Sequence, residues 1–256
     1  MRLRTLAAAT AVGLVASLAP TVAAQAAAKP TYKVSISTST TKADVGQTIK
    51  VSGKVRGPKA AKKRLAVQVK VGSGKWKTVK KVRTTKKNRY TAAVKVTTAG
   101  QQQLRVVAPR SKKARKGVSK ARGFVGWRWL DLTTQPKATT GSVKVGAATI
   151  AGTTYAKAIT ITSGGRATFT INDRCDVFKG GFGVKAGINE DASVTTFHST
   201  PVWGNGTEHA VAANAPAKNL RYTIKGGYWF GIDAGAGVVT AVNPAVHCAV
   251  NRLTAK

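Results

Sequence analysis

The chain has 256 residues, with 43 Lys and Arg against eight Asp and Glu, and a formal net charge of +35. This length suits two domains of ordinary size. The charge argues against a surface that serves solubility alone, because solubility requires a mixture of both signs. After the first residues, no stretch is long and apolar enough to span a bilayer. The sequence therefore predicts no membrane-spanning helix there.

The first 26 residues have the pattern of a secretory signal peptide. Arg2 and Arg4 form a basic start, residues 6–18 are apolar, and an Ala-Gln-Ala cleavage site occupies residues 24–26. We expect cleavage at the end of this site, with Ala28 as the alternative. The product is predicted to be secreted, extracellular or associated with the bacterial cell wall.

The positive charge is concentrated in the first half of the chain. Residues 29–122 contain 28 Lys and Arg and a single acid, Asp44, whereas residues 123–256 contain 13 Lys and Arg and seven acids. Two explanations stay open. The cations form a solvated face that keeps edge strands apart, or a polyanionic partner offsets their mutual repulsion. We favour the partner.

Residues 30–108 predict a basic β-sandwich. About seven short runs alternate apolar and polar residues, as at Tyr32, Val34 and Ile36, with regular turns and no helical period. The segments GKWKTV (74–79) and NRYTA (88–92) resemble bacterial immunoglobulin-like repeats of secreted proteins. The resemblance implies an immunoglobulin-like sandwich, but it implies no ligand, because such repeats serve many functions.

Residues 109–122 are predicted to be a basic linker. They read PRSKKARKGVSKAR, with almost nothing to bury. A run of like charges with Gly and Pro favours an extended, disordered segment, which could also lie along a polyanion.

Residues 123–256 predict a second β-sandwich. Apolar residues alternate at 158–161, 167–171 and 182–184, and glycine pairs mark turns between the runs. A polar turn at 187–191 follows the last run, where a β-sandwich usually keeps its binding groups.

Five segments of this half resemble the NPCBM family of carbohydrate-binding modules, whose fold is a galactose-binding-like jelly roll. They are WLDL (129–132), GTTYAK (152–157), GINED (187–191), NLRYTIKG (219–226) and YWFGID (228–233). The resemblance covers about half of the chain. It implies that an immunoglobulin-like sandwich is followed by a jelly-roll, carbohydrate-binding domain.

The predicted ligand-binding residues are polar or aromatic side chains of loops and strand ends. They are Asn189, Glu190, Asp191, Trp203 and Trp229. Each tryptophan either stacks on a sugar ring or packs in the core. The acids either hold a structural calcium ion, with Asp191 and Asp233 as its ligands, or lie exposed in a turn. No other cofactor is expected.

The two cysteines, Cys175 and Cys248, are predicted to form a disulfide, because export exposes them to an oxidising environment. A metal site is the alternative, but no CxxC or HxxxH spacing completes four ligands.

No catalytic motif is recognisable. The sequence has neither a G-x-S-x-G nucleophile elbow nor a phosphate-binding glycine loop. We therefore predict an exported protein that is not an enzyme. It would bind carbohydrate or cell-wall polysaccharide through the second domain and anionic polymers through the first. The alternatives are a charge-driven nucleic-acid or polyanion binder, and an accessory module of a secreted glycoside hydrolase system.

Overall fold

The computed structural model describes residues 28–200 and 203–254, except for the side chains of residues 200 and 203–205. Strands in several antiparallel sheets make up most of the regular structure in this part of the chain, which confirms the prediction of an all-β sandwich fold. Within it, no helix is long and apolar enough to cross a membrane. The predicted signal peptide, residues 1–26, lies outside the described residues.

The strands divide into a first half before residue 122 and a second half after it. The first half contains β1 (Lys33–Val34), β2 (Ser37–Thr38), β3 (Lys42–Asp44), β4 (Thr48–Arg56), β5 (Arg64–Val71), β6 (Lys77–Arg83), β7 (Arg89–Lys95), β8 (Gly100–Ala108) and β9 (Gly117–Val118). The junction strand is β10 (Arg122–Asp131), which a short 3-10 turn (Leu132–Thr134) follows. The second half contains β11 (Ala138–Thr140), β12 (Val143–Ile150), β13 (Thr153–Ile161), β14 (Arg166–Thr170), β15 (Cys175–Gly183), β16 (Ala192–Thr200), β17 (Trp203–Val211), β18 (Lys218–Thr223), β19 (Trp229–Ala234) and β20 (Val239–Cys248).

The first half packs two sheets around one core. In one sheet β4 pairs with β1, β2 and β7. In the other sheet β8 pairs with β5 along one edge and with β9 and β10 along the other edge. Alternation explains the packing: Ile49 and Val51 of β4 face Leu65, Leu104 and other fully buried residues, whereas the intervening positions are exposed. The apolar phase of each strand therefore closes the sandwich and leaves the basic phase outside.

The second half packs the sheet around β20 against the five-stranded sheet β11-β14-β19-β16-β17. Phe169, Phe178, Phe182 and Phe230 fill the space between the sheets. The predicted disulfide is present: Cys175 of β15 lies directly opposite Cys248 of β20 in the strand register, and the two form a bond. It closes a long loop across this core.

β10 belongs to both halves. It pairs with β8 along Arg122–Gly126 and with β20 along Arg128–Asp131. β3 also pairs with it, in parallel, at residues 125–127. One continuous eleven-stranded sheet therefore runs through the molecule, and the predicted boundary at residue 123 falls inside a strand.

The expectation of a disordered linker at residues 109–122 is wrong. Gly117 and Val118 pair with β8, and the Ser119 hydroxyl accepts a hydrogen bond from the Val106 amide. Ala114 is buried against the core, and the Arg115 amide donates to the Pro30 carbonyl. Small residues between the cations provide these contacts, so charge alone did not predict the conformation.

Asp131, at the end of β10, stabilises the chain turn that begins the second half. Its carboxylate accepts hydrogen bonds from the Thr133 amide and hydroxyl, and it lies 3.0 Å from the Lys157 ammonium. Partial burial by itself raises the pKa of Asp131, but these interactions outweigh burial and hold the pKa below its ordinary value. The charged form is therefore the one that folding favours.

Asp131→Asn is expected to destabilise the protein by up to about 1 kcal/mol at neutral pH, because asparagine can still accept the Thr133 hydrogen bonds and only the charge, with its ion pair to Lys157, is lost. Because folding lowers the pKa of Asp131, its contribution is complete above the ordinary aspartate pKa of about 3.9 and is lost as the pH falls through the folded-state pKa. Thermal unfolding from neutral to acidic pH measures this. The gap between the two proteins should close in acid, whereas a constant gap would contradict the charge effect. Glu190→Gln, at an exposed turn, is the control.

Candidate functional site

Two adjoining clefts lie where the loop between β4 and β5 meets residues 109–116. Their volumes are about 560 and 590 Å³, and Ser111 and Lys112 line both. Together they are lined by ten Lys and Arg side chains and by no acid. These cations are Lys29, Lys59, Lys62, Lys63, Arg64, Arg110, Lys112, Lys113, Arg115 and Lys116. We call the two clefts the basic cleft.

One wall of the basic cleft is a loop that a buried threonine holds in place. The Thr84 hydroxyl donates to the Ala60 carbonyl at 2.6 Å and accepts from the Lys63 amide at 2.8 Å. Ala60 is buried, whereas Lys59 and Lys62 on either side of it have positive φ angles of 50° and 54°. Non-glycine residues rarely adopt this conformation, so the surrounding contacts fix the loop that presents the lysines.

Tyr32 joins this loop to the opposite wall. Its ring is buried, its hydroxyl donates to the Pro58 carbonyl at 3.0 Å, and the same oxygen lies 2.9 Å from the Ser111 hydroxyl. The Lys63 ammonium lies 4.4 Å from the ring centroid, within the range of a cation–π contact. At Gly117 a Cβ atom would collide with the Tyr32 backbone. This close approach explains why the basic segment is ordered.

Among the described residues, no acid lines the basic cleft. Among the ion pairs of the described residues, none includes a cation of the cleft. Asp44, the single acid of residues 29–122, instead lies 3.0 Å from His247 Nε2. Ten like charges repel one another in the free protein. A bound polyanion would remove that repulsion.

The aromatic residues of the basic half offer little surface for stacking. Tyr32 and Tyr90 are buried. Trp76 is half-buried, and the Arg105 guanidinium covers its ring at 4.2 Å, held in place by a hydrogen bond to Gln68. The arrangement therefore suits binding by charge rather than by stacking on bases.

A column of aromatic and charged side chains crosses the junction between the halves. His247 lies between Trp127 and Trp129, with ring centroids 5.1 and 5.0 Å away. Its Nδ1 atom is 2.7 Å from Asp176 and its Nε2 atom is 3.0 Å from Asp44. Because a carboxylate only accepts hydrogen bonds, both contacts are hydrogen bonds when the ring is an imidazolium. The column therefore joins the two halves.

Two tryptophans on the same side of a strand could either form a flat platform for a sugar ring or pack inside the fold. Trp127 and Trp129 lie on the same side of β10, as expected for alternate residues of a strand. Their rings are covered, however: Lys42 lies 5.5 Å from the centroid of Trp127, and Lys179 lies 4.3 Å from that of Trp129. Together with His247 these contacts favour the packing alternative for both rings.

The predicted turn after β15 contains only part of the predicted site. Asn189 and Glu190 are exposed there. The Asp191 carboxylate accepts a hydrogen bond from the Ala213 amide at 2.8 Å, which ties this turn to the segment after β17. The side chain of Trp203, at the start of β17, lies outside the described residues.

Asp233 and Trp229 are placed in β19, away from that turn. Both carboxylate oxygens of Asp233 accept hydrogen bonds of 2.6 Å from Arg166, the residue opposite it in β14. Trp229 is half-buried and meets Tyr228 edge to face. Within the described residues, no three His, Cys, Asp or Glu side chains lie together as a metal site. Asp191 therefore binds the Ala213 amide and Asp233 binds Arg166, so each carboxylate has its own protein partner.

No model of a known protein family matches the chain, and no curated protein matches it. The resemblances to NPCBM modules and immunoglobulin-like repeats therefore rest on the sequence segments alone, and the function has to be argued from the surface of this protein.

Proposed function

We propose that this is an exported, non-catalytic binding protein whose first half attaches it to anionic polymers. The observation that carries the proposal is the basic cleft, with ten Lys and Arg side chains and no acid in its lining. Export is supported by the signal-peptide pattern of residues 1–26 and by the disulfide, which is typical of oxidising compartments.

The distribution of charge favours a polymer over a small anion. A small anion contacts only a few cations at a time, whereas these ten line two clefts of more than 500 Å³ each. Each exposed ion pair contributes little by itself. A polymer with regularly spaced charges engages many of them together and releases its condensed counterions, which makes binding strong and sensitive to salt.

The chemistry of the partner follows from the same residues. Lysine and arginine recognise phosphate and carboxylate groups, and they do so without reading a sequence. Wall polymers of the teichoic type, acidic polysaccharides and extracellular nucleic acid all present such groups. The second half is proposed to bind carbohydrate, which would place the protein on a cell surface or extracellular matrix.

Replacing Lys62, Lys63, Lys112 and Lys113 by glutamine is expected to weaken binding to double-stranded DNA and to flatten its salt dependence. For B-DNA the slope of log K against log salt is about −0.9 per neutralised phosphate, so four lost contacts make the slope less steep by about 3.6. Fluorescence anisotropy of the full chain with labelled DNA, over a range of salt concentrations, measures this slope.

The matched control replaces four exposed lysines outside the cleft, namely Lys50, Lys77, Lys81 and Lys95. It removes the same charge and should leave most of the slope unchanged. An equal loss in both variants would show that binding is spread over the whole basic surface, which contradicts the cleft. Salt-independent binding by the unmodified protein would contradict the anionic-polymer function itself.

A further inference from the structure

A third cleft, of about 400 Å³, opens on the second half beside β15, β18 and β20. Its lining includes Tyr155, Lys179, Asn219, Arg221 and Asn243, with Gly180 and Gly181 among them. Its volume lies within the range of about 300 to 1,000 Å³ that is typical of small-ligand sites. We call it the glycine cleft, and none of the five predicted ligand-binding residues lines it.

The backbone that forms the glycine cleft is irregular at one place. Lys179 pairs with Ala245 and Gly181 pairs with Val242, so Gly180 alone lies opposite two residues of β20, Asn243 and Pro244. This is a β-bulge, a feature that commonly redirects a side chain beside a functional site. Asn243 has a φ angle of 46°, and it is the one exposed residue of an otherwise largely buried strand.

Gly181 keeps the cleft open. A Cβ atom at Gly181 would lie 2.8 Å from Val242 and 3.1 Å from the Asn219 side-chain oxygen, two residues that line the cleft. A Cβ atom at Gly180 would instead lie 3.0 Å from the buried ring of Phe178, so a side chain there would press on the core. Glycine in a strand interior weakens the strand, and it often marks a place where a ligand approaches the backbone.

Two cations at the edge of the glycine cleft lack an anionic partner. Lys179 and Arg221 are directly opposite each other on β15 and β18, a placement that is unfavourable for like charges. No ion pair of the described residues includes either of them. Trp129 holds both, with Lys179 Nζ 4.3 Å and Arg221 Cζ 5.2 Å from its ring centroid. The two cations are thus held side by side before any ligand binds, and an anion between them would relieve their repulsion.

We propose that the glycine cleft binds one pyranose ring that carries an acidic substituent, a carboxylate or a sulfate. Lys179 and Arg221 bind the acidic group, with the planar guanidinium providing paired donors. The amides of Asn219 and Asn243 each offer donors and an acceptor, as neighbouring sugar hydroxyls require. Tyr155, half-exposed and packed against Ala148 and Ile150, provides a flat apolar surface for the ring. The proposal deepens the carbohydrate-binding role of the second half and is independent of the basic cleft.

The test titrates the full chain with trigalacturonate and with its methyl ester, using isothermal calorimetry at physiological salt. All proteins carry the four glutamine substitutions of the basic cleft, so that binding there is weakened to the same extent in each of them. Trigalacturonate should bind about tenfold or more tightly than its neutral ester, since a hydrogen bond to a charged group is worth about that factor. Galactose 6-sulfate and inorganic sulfate then distinguish the acidic sugar from a simple anion.

Lys179→Gln combined with Arg221→Gln should raise the Kd for trigalacturonate by about tenfold or more. Lys144→Gln combined with Lys225→Gln removes the same charge from exposed positions outside the cleft and should leave the Kd unchanged. Asn243→Gly removes an amide but keeps the positive φ angle accessible, so it should weaken binding without unfolding β20.

Three outcomes would overturn the proposal. The first is an equal Kd for the acid and its ester, and the second is an equal loss in the two double variants. The third is competition by inorganic sulfate as effective as that by galactose 6-sulfate, which would show a site for anions alone. Because every protein in this test carries the same basic-cleft substitutions, the comparisons between them are independent of the DNA experiment. Thermal unfolding of each variant excludes loss of fold as the cause.

Discussion

Replacing both Cys175 and Cys248 by alanine is expected to lower the free energy of unfolding by about 4 kcal/mol. The two residues are 73 positions apart in sequence, and the stabilisation grows with the length of the loop that the bond closes, because the cross-link restricts the unfolded chain. Both are also fully buried in the core of the second half. For a chain of this length the thermal midpoint should fall by roughly 8 to 16 °C, as scanning calorimetry would measure.

The unmodified protein in reductant provides the matched control. Reduction should lower its midpoint towards that of the double variant, whereas the variant itself should not respond. A variant that unfolds within about 2 °C of the unmodified protein would contradict the expectation, since that corresponds to less than about 1 kcal/mol.

Phe178→Ala is expected to cost about 3 to 5 kcal/mol, the range for removing a buried aromatic ring. Phe178 is fully buried in β15, and its ring centroid lies 4.7 Å from that of Phe230, 5.2 Å from Tyr222 and 6.0 Å from Phe182. The substitution removes the ring that all three contact and leaves a cavity between the sheets. Denaturant unfolding, with the slope compared as well as the midpoint, measures the loss.

Two variants separate burial from any general effect of substitution. Phe178→Leu fills most of the space and should cost clearly less than alanine. Val145→Ala, at a position 47% exposed in β12, should change stability by no more than about 0.5 kcal/mol. Equal losses of stability for Phe178→Ala and Val145→Ala would contradict the conclusion that burial of the Phe178 ring stabilises this core.

The apolar pattern predicted three of the strands of the second half. Ile159, Ile161, Phe169 and Phe182 were assigned to alternating runs, and all four are fully buried in β13, β14 and β15. Period-2 alternation is a local property that survives in the sequence, because one face of each strand must be apolar to form the core. The disulfide was predictable for a similar reason, since only two cysteines are available to pair.

The junction was not predictable in the same way. Residues 109–122 look like a linker because their cations dominate the composition, whereas small residues such as Ala114, Gly117 and Ser119 provide contacts that order them. Which strands pair with β10 depends on register between residues far apart in sequence. Local alternation contains no information about such partners.

The candidate sites show the same limit. The basic character of the loop before β5 and of residues 109–116 was evident from the sequence. The two segments meet at Tyr32, however, which contacts Ser111 although the two residues are 79 positions apart. Asp233 was assigned to a metal, whereas its partner is Arg166, which lies opposite it through the pairing of β14 with β19. The glycine cleft depends on a bulge, and only the pair Gly180-Gly181 hinted at it.

β10 has a consequence for how a long ligand is held. Because one strand of ten residues, about 30 Å from end to end, passes from one half into the other, the distance between the two proposed binding surfaces is set by hydrogen bonds rather than by a tether. When one ligand binds both surfaces, its avidity then depends on whether its own spacing matches this fixed distance, because no flexible connection allows the two surfaces to adopt a range of distances. A polymer whose acidic groups recur at the matching interval gains from both surfaces at once. A shorter or wrongly spaced chain would gain from only one of them.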